Sequence, residues 1–318
     1  MIQRILFATD FSVGTLPARA YAAYWTSTFG AELKVLHVFE TYPVLAAYPM
    51  APNPMADTPM IESMQSEVSR RLDQLANELG RCGVRATSMQ VRGIPSEEVI
   101  KAADADRADL IVLGTRGRMG LEHILLGSTA ERVVKGAPCP VMTVRSALVA
   151  PSHDRPIAIK HILVPIDFSD CSLDALEYAI PLAKRFEAPV TIVHVLEWAS
   201  VGVDFSVVDL AEGTKVRKET EMRLSDLAAV IRAQGLSVET VIRSGGAPAD
   251  FVLECAGERG ADLIIMGTHG RRGLSRLLVG SVAEGVLRQA ACPVMTVKTP
   301  KFSPEHQRVL ATAGRVQV

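Results

Sequence analysis

Three glycines and a serine stand at the same spacing twice in this chain. GTRGRMGLEHILLGST, Gly114–Thr129, carries Gly114, Gly117, Gly127 and Ser128, followed by Thr129. GTHGRRGLSRLLVGSV, Gly267–Val282, carries Gly267, Gly270, Gly280 and Ser281, followed by Val282. Both read Gly, two residues, Gly, nine residues, Gly-Ser. Glycine lets a backbone come close to a ligand because it has no Cβ. Each Gly-Ser precedes a run readable as a helix, STAERVVKGA or SVAEGVLRQA. A helix start offers unpaired N–H groups and the positive end of the helix dipole. Phosphate is a natural occupant of such a place, and a serine hydroxyl adds a donor. Arg116, Arg118, Arg271 and Arg272 put positive charge nearby. Against this, a turn or a cap explains any single glycine, and common descent explains part of the repetition. The spacing matches neither G-x-x-x-x-G-K-[ST] nor G-x-G-x-x-G.

An aspartate closes the first apolar run of each copy, Asp10 in ILFATDFS and Asp167 in ILVPIDFS. In open α/β sheets ligands sit beyond the carboxyl ends of the strands, where strand order reverses. There an aspartate accepts from a ribose hydroxyl or an adenine amino group. The equal alternative is a helix N-cap, since a helical run follows DFS in both copies. His269 lies inside the second ladder and reads as a phosphate or ribose contact, with a solvated loop side chain as the alternative. His37 and His194 sit within apolar runs and read as hydrogen-bonded core or edge histidines, because no partner is spaced for zinc. Cys139 and Cys292, in APCPV and AACPV, read as small buried residues at strand starts, with a redox role as the alternative.

These residues need elements to hold them, and the elements repeat. LKVLHVFE (Leu33–Glu40) returns as VTIVHVLE (Val190–Glu197), and ADLIVLGTRG (Ala108–Gly117) as ADLIIMGTHG (Ala261–Gly270). CPVMTV occurs at Cys139–Val144 and at Cys292–Val297. Apolar runs at Ile5–Ala8, Leu33–Phe39, Thr87–Val91, Leu110–Leu113 and Val141–Val144 predict five strands in copy 1. Ile162–Ile166, Val190–Leu196, Val238–Ile242, Leu263–Met266 and Val294–Val297 predict five in copy 2. Their β-branched, weakly alternating character suits strands buried on both faces. Helical patterns lie between. Ile61, Met64, Val68, Leu72, Leu75 and Leu79 make one apolar face, with Gly80 and Gly83 as stops. Such alternation means α/β with a parallel sheet and helices on both faces. The expected domains are 1–146 and 160–299, a linker at 147–159 within SALVAPSHDRPIAIK (Ser146–Lys160), and an undefined tail at 300–318.

Composition narrows the class. A formal net charge of −1, from 34 Lys and Arg against 35 Asp and Glu, gives no support for nucleic-acid binding. No apolar run is long enough to span a membrane, and MIQRILFATDFS does not read as a signal peptide. Five cysteines with no C-x-x-C pair argue against a disulfide framework and for a reducing cytoplasm. Thr41–Met60, with five prolines and three of its residues methionine, reads as a loop, or alternatively as a lid or partner-binding segment. Trp198–Gly213 is its different counterpart in copy 2.

The motifs ILVPIDFSD, VTIVHV, ADLIIMGTHGRRGLSRLLVGSVAEGVL and CPVMTV resemble the universal stress protein family in a tandem two-domain form. The G-x2-G-x9-G-[ST] ladder resembles its ATP-binding branch. The resemblance implies two doubly wound five-stranded parallel sheets of order 3-2-1-4-5, in the adenine nucleotide alpha hydrolase-like fold. It implies ATP across strands 1 and 4, with Asp167 and the backbone at Val195 meeting adenosine. Gly267, His269, Gly270, Gly280, Ser281 and Val282 would surround the phosphates. The matching copy 1 positions are Asp10, Val38, Gly114, Arg116, Gly117, Gly127, Ser128 and Thr129. Copy 1 departs from the pattern with Ala8-Thr9-Asp10 in place of Pro165-Ile166-Asp167, and with Arg116 in place of His269. Family members also pair domains through the fifth strands, here Val141–Val144 with Val294–Val297 within one chain. A further homodimer is left open by the sequence.

The leading expectation is a cytoplasmic ATP-binding regulatory or stress-response protein whose nucleotide occupancy modulates assembly or partner contacts. Mg²⁺ can accompany the nucleotide, but no carboxylate cluster marks a metal site. No dedicated base is evident, so no catalytic residue is assigned and hydrolysis would be slow at most. A slow ATPase or nucleotidyl transferase is one alternative. A nucleotide-free scaffold or apolar-ligand carrier is the other.

Overall fold

Ile5, Leu6 and Phe7 are each at most 1% exposed, the mark of a strand covered on both faces. They belong to β1 (Arg4–Ala8), the centre of the first of two units, Met1–Ile157 and Ala158–Val318. The computed structural model describes residues 2–40, 58–115, 126–145, 156–196, 210–270 and 279–298. The 300–318 tail and most of the expected linker lie outside these residues, as do 41–57 of the Thr41–Met60 segment and 198–209 of the Trp198–Gly213 segment, while the last residues of both segments begin helices.

In the first unit β1 is joined by β2 (Glu32–Phe39), β3 (Ala86–Arg92), β4 (Leu110–Gly114) and β5 (Val141–Val144). All pair in parallel, in the order β3-β2-β1-β4-β5. The second unit repeats this with β6 (Ile162–Pro165), β7 (Val190–Leu196), β8 (Val238–Ser244), β9 (Leu263–Gly267) and β10 (Val294–Val297). Its order is β8-β7-β6-β9-β10. Both match the 3-2-1-4-5 order that the resemblance implies. The third strands differ from the expectation of burial on both faces. Thr87 and Ser88 in β3, like Glu239 and Thr240 in β8, are exposed, because these strands stand at an edge of the order.

Helices fill the crossovers. The first unit has α1 (Leu16–Phe29), α2 (Thr58–Arg81), α3 (Pro95–Ala105) and α4 (Ser128–Gly136). The second has α5 (Asp170–Phe186), α6 (Leu210–Ala233), α7 (Pro248–Glu258) and α8 (Ser281–Gln289). Right-handed crossovers place the first two helices of each unit on one face of its sheet and the last two on the other. Accordingly α3 packs on α4, and α7 on α8. The apolar face predicted along α2 is buried at Leu72, Leu75 and Leu79, while Met64 is 40% exposed. Of its two glycine stops, Gly80 lies within the helix and Gly83, at φ +80°, follows its end.

Candidate functional site

In each unit β1 or β6 leads the chain to one side of the sheet, and β4 or β9 to the other. The crevice of a doubly wound sheet opens at the carboxyl ends of such a pair. What the sequence puts there is the D-F-S turn on one strand and the glycine ladder on the other.

The turn has the same construction in both units. Asp10 Oδ1 accepts from the Ser12 backbone N–H at 2.9 Å, and Asp167 Oδ1 accepts from that of Ser169 at 3.0 Å. Ser169 Oγ also donates to Asp167 Oδ1 at 2.6 Å. An aspartate that bonds the backbone two residues on is making an Asx turn. The N-cap alternative for Asp10 and Asp167 is therefore corrected. Ser169 caps α5, accepting from Ser172 N–H, and Thr15 occupies the cap position of α1. Between aspartate and serine, Phe11 and Phe168 take φ of +60° and +62°. That is the left-handed region, which side chains other than glycine, Asn and Asp seldom enter.

Behind each turn sits the histidine of the second strand. His37 Nδ1 lies 2.8 Å from the Thr9 carbonyl oxygen, and His194 Nδ1 lies 2.5 Å from that of Ile166. A carbonyl only accepts, so Nδ1 carries the proton and donates. The rings contact Phe11 and Phe168 at centroid distances of 4.9 and 5.0 Å. Both histidines are 5% exposed, in keeping with the core reading. Their grip on the turn is what sequence reasoning missed. The available signal was a polar residue in an apolar run, in register with the residue before the aspartate in both copies, since buried polar groups are hydrogen-bonded.

Val38 and Val195 follow these histidines. The amides of Thr9 and Ile166 donate to the carbonyls of Leu36 and Val193, two residues earlier on β2 and β7. By the two-residue repeat of a strand, Val38 and Val195 aim their peptide groups to that same side, past the point where β1 and β6 have turned away. Pro165 ends β6 without a peptide N–H to offer.

The ladder meets the turn directly. Gly267 closes β9, and a Cβ there would lie 2.8 Å from the carbonyl carbon of Cys171 and 2.9 Å from its oxygen and Sγ. Gly270 faces the turn itself, where a Cβ would come 2.4 Å from Asp167 Oδ2. Ser169 Oγ lies 3.5 Å from the His269 carbonyl oxygen. His269 Nδ1 lies 2.8 Å from Thr268 Oγ1, so its side chain is engaged with the ladder rather than simply solvated. Gly280 N–H donates to the Thr268 carbonyl at 2.8 Å, which brings the end of the ladder back to its beginning. Gly127 N–H makes the same bond to Thr115, and Gly114 closes β4. Arg116 and Gly117 lie outside the described residues, as do Arg118, Arg271 and Arg272.

Gly127 and Gly280 are the N-caps of α4 and α8, with Ser128-Thr129 and Ser281-Val282 in the first turns. Neither cap makes a side-chain bond, because glycine has no side chain to spend on it. In the second unit Asp167 meets the ladder that leads to the uncapped start of α8, and the first unit carries Asp10 after β1 and the uncapped start of α4 after β4. Such a set holds an anion by main-chain N–H groups and a polar ligand by a carboxylate. The donor set fits a phosphate-bearing nucleotide.

Other candidates fall away from this place. Among the described residues no group of three His, Cys, Asp or Glu side chains is placed to hold a metal ion. Cys139 and Cys292 are buried just before β5 and β10, and burial pushes the Cys292 thiol up to about 12. Among the described residues no helix is long and apolar enough to cross a membrane.

The fold and site define a duplicated, doubly wound α/β protein with a glycine-capped helix start after the fourth strand of each unit. A model of the universal stress protein family matches residues 1–145 and again 158–298, and the chain belongs to that family. A universal stress protein of Methanocaldococcus jannaschii is 38% identical over 149 residues, 45% of this chain and 84% of that protein. One from Mycolicibacterium smegmatis is 29% identical over 299 residues, 92% of this chain and 96% of that protein, so the tandem form is shared. The crystal structure of a universal stress protein from Archaeoglobus fulgidus superposes with a TM-score of 0.69 at 25% identity, covering 93% of this chain and 98% of that one.

Proposed function

We propose that the chain is an ATP-binding stress-response protein whose nucleotide occupancy modulates its assembly or its partner contacts. One observation carries this reading. In the second unit, the aspartate turn of β6 and the glycine ladder after β9 touch at the switch point, and the ladder ends on an uncapped helix start. The first unit has the corresponding turn and ladder end. Asp10 and Asp167 would take the adenosine side together with the backbone at Val38 and Val195. Gly267, His269, Gly270, Gly280, Ser281 and Val282 would take the phosphates, as would Gly114, Arg116, Gly117, Gly127, Ser128 and Thr129 in the first domain. We assign the domains to 1–146 and 160–299 and infer that their fifth strands pair within the chain. Mg²⁺ would arrive with the nucleotide, on its phosphates.

The test is nucleotide stoichiometry. The purified chain is denatured and any released nucleotide identified, and ATP is then titrated calorimetrically into wild type, Asp10→Ala and Asp167→Ala. Two sites, each weakened by its own aspartate substitution, are expected. A wild-type chain that carries no nucleotide and gives no heat with ATP overturns the reading.

A further inference from the structure

We propose that His37 and His194 are positioning residues of the two nucleotide sites, a proposal that rests on the nucleotide reading above. Each holds the peptide before the aspartate and the side chain after it. The held peptide is the last one before the chain leaves the sheet. Thr9 and Ile166 still bond the second strand through their N–H groups. Their carbonyls are taken instead by the imidazole Nδ1–H, at 2.8 and 2.5 Å. The next residue is the aspartate. The one after it is a phenylalanine in the left-handed region, whose ring rests on the same imidazole.

An aspartate between two such fixed points has little freedom in its own φ and ψ. Its carboxylate orientation is then set by the turn, in which it accepts from Ser12 or Ser169 N–H. Removing the imidazole releases the carbonyl and one face of the phenylalanine together. The backbone strain at Phe11 or Phe168 then loses the imidazole that opposes it, and the Asx turn can relax. The histidine touches no ligand in this scheme. It acts through the aspartate, as a preorganised support acts on the group that binds. The arrangement occurs twice, on identical elements, in copies whose surrounding residues differ. A histidine that merely fills the core needs an acceptor, but not this one carbonyl together with this phenylalanine at both places.

The experiment uses the full chain with ATP as probe, and reads each site by two-site calorimetry beside a thermal melt. Asparagine sets its side-chain N–H₂ near the place of Nδ1, whereas leucine keeps bulk and loses the donor. His194→Leu is expected to weaken the second site about tenfold or more, the scale of one misplaced charge-assisted hydrogen bond, and to leave the first unchanged. His194→Asn should recover most of that affinity, and the His37 pair should act on the first site alone. In ¹⁵N-labelled wild type, the Nδ1–H signals of both histidines should be protected from exchange and should shift when ATP is added. Wild-type affinity in His194→Leu overturns the proposal, as does a Nδ1–H signal indifferent to ATP. So does an Asn variant no better than Leu when both melt alike. Those results leave ATP binding standing, whereas wild type that binds no ATP overturns the nucleotide reading and this proposal with it.

Discussion

Gly270→Ala changes one hydrogen for a methyl group, and its consequence can be worked from the structure. The new Cβ would sit 2.4 Å from Asp167 Oδ2. An ordinary carbon–oxygen contact is about 1 Å longer, so something must move. The carboxylate is short and tethered, with Oδ1 bonded to Ser169 N–H at 3.0 Å and to its hydroxyl at 2.6 Å. If the carboxylate rotates, hydrogen bonds to a charged group are lost, each of about 1.5–3 kcal/mol. If the ladder backbone shifts instead, overpacking costs about 1–3 kcal/mol. Both routes displace a group assigned to the nucleotide. We therefore expect ATP affinity at the second site to fall roughly 10- to 100-fold, about 1.4–2.8 kcal/mol. The melting temperature of that domain should drop by a few degrees, about 2–5 °C per kcal/mol for a unit of this size. The assay is calorimetry for affinity and a melt for stability, repeated in an Asp167→Ala background. There the clashing carboxylate is gone, so Gly270→Ala should cost less than about 0.5 kcal/mol in the melt. If the two substitutions add, the close approach of Gly270 to Asp167 is not what requires glycine, and the reasoning fails.

Gly267→Ala places its Cβ against the backbone of Cys171, which cannot rotate away, so it should destabilise the second domain by about 2–3 kcal/mol with or without ATP. Gly280→Ala, whose Cβ would lie 3.3 Å from the Thr268 carbonyl, should cost clearly less in the same melt. Of the five cysteines only Cys82 is exposed, and burial raises the Cys255 and Cys292 thiols. A thiol reagent at pH 8 should thus label one cysteine in the native chain and all five after unfolding, and rapid labelling of Cys292 would contradict the buried assignment. Burial also lowers His161 below its ordinary 6.5, against the pull of Asp262 and Glu239. The unfolded chain then binds the proton more readily, so His161 contributes stability above pH 6.5 that is lost as pH falls through 6.5 toward the folded value. Melts at pH 7.5 and 5.5 should show that loss in wild type, and it should shrink in His161→Gln.

The sheet was legible because central parallel strands must be apolar on both faces, and runs such as LIVLG and LIIMG satisfy nothing else. The edge strands β3 and β8 obeyed a weaker rule, one covered face, and their exposure could not be read from residue types alone. The ladder was legible as a spacing but not as a set of contacts. Gly267 needs to be glycine because of Cys171, and Gly270 because of Asp167, each about a hundred residues away in sequence. For the aspartates the type and place were legible, and the turn was not. An Asx turn and an N-cap use the same residues, and only backbone geometry separates them.

The two copies differ less in their glycines than in how firmly each aspartate turn is held. RLDQLA (Arg71–Ala76) on α2 and RLSDLA (Arg223–Ala228) on α6 are matching helix turns. Arg223 lays its guanidinium 3.9 Å over the Phe168 ring, leaving that phenylalanine 8% exposed. Arg71 is instead drawn to Glu67, at 2.8 Å, where Arg70 joins it and the two hold the carboxyl down at about 2. In the second copy Met222 replaces Arg70, and Glu219, the counterpart of Glu67, faces Lys215. Beside Phe11 a cavity of about 210 Å³ opens, walled by Arg71 and by Arg19, Gln74 and Glu78, where Arg19 and Glu78 are paired with each other. Their counterparts in the second copy are Leu176, Asp226 and Val230, and Leu176 is fully buried. Ser169 further caps α5, whereas Ser12 makes no side-chain cap bond. Histidine thus supports both turns; the first adds bonds from Phe11 N–H to Thr9 Oγ1 at 3.0 Å and from Thr15 Oγ1 to the Ser12 carbonyl at 2.8 Å, and the second adds the arginine over its phenylalanine and the serine cap. A turn whose phenylalanine borders a cavity has more freedom to lose when a ligand orders it. Two intact ladders therefore do not imply two equal sites, and the first domain is expected to bind ATP more weakly than the second in a two-site titration.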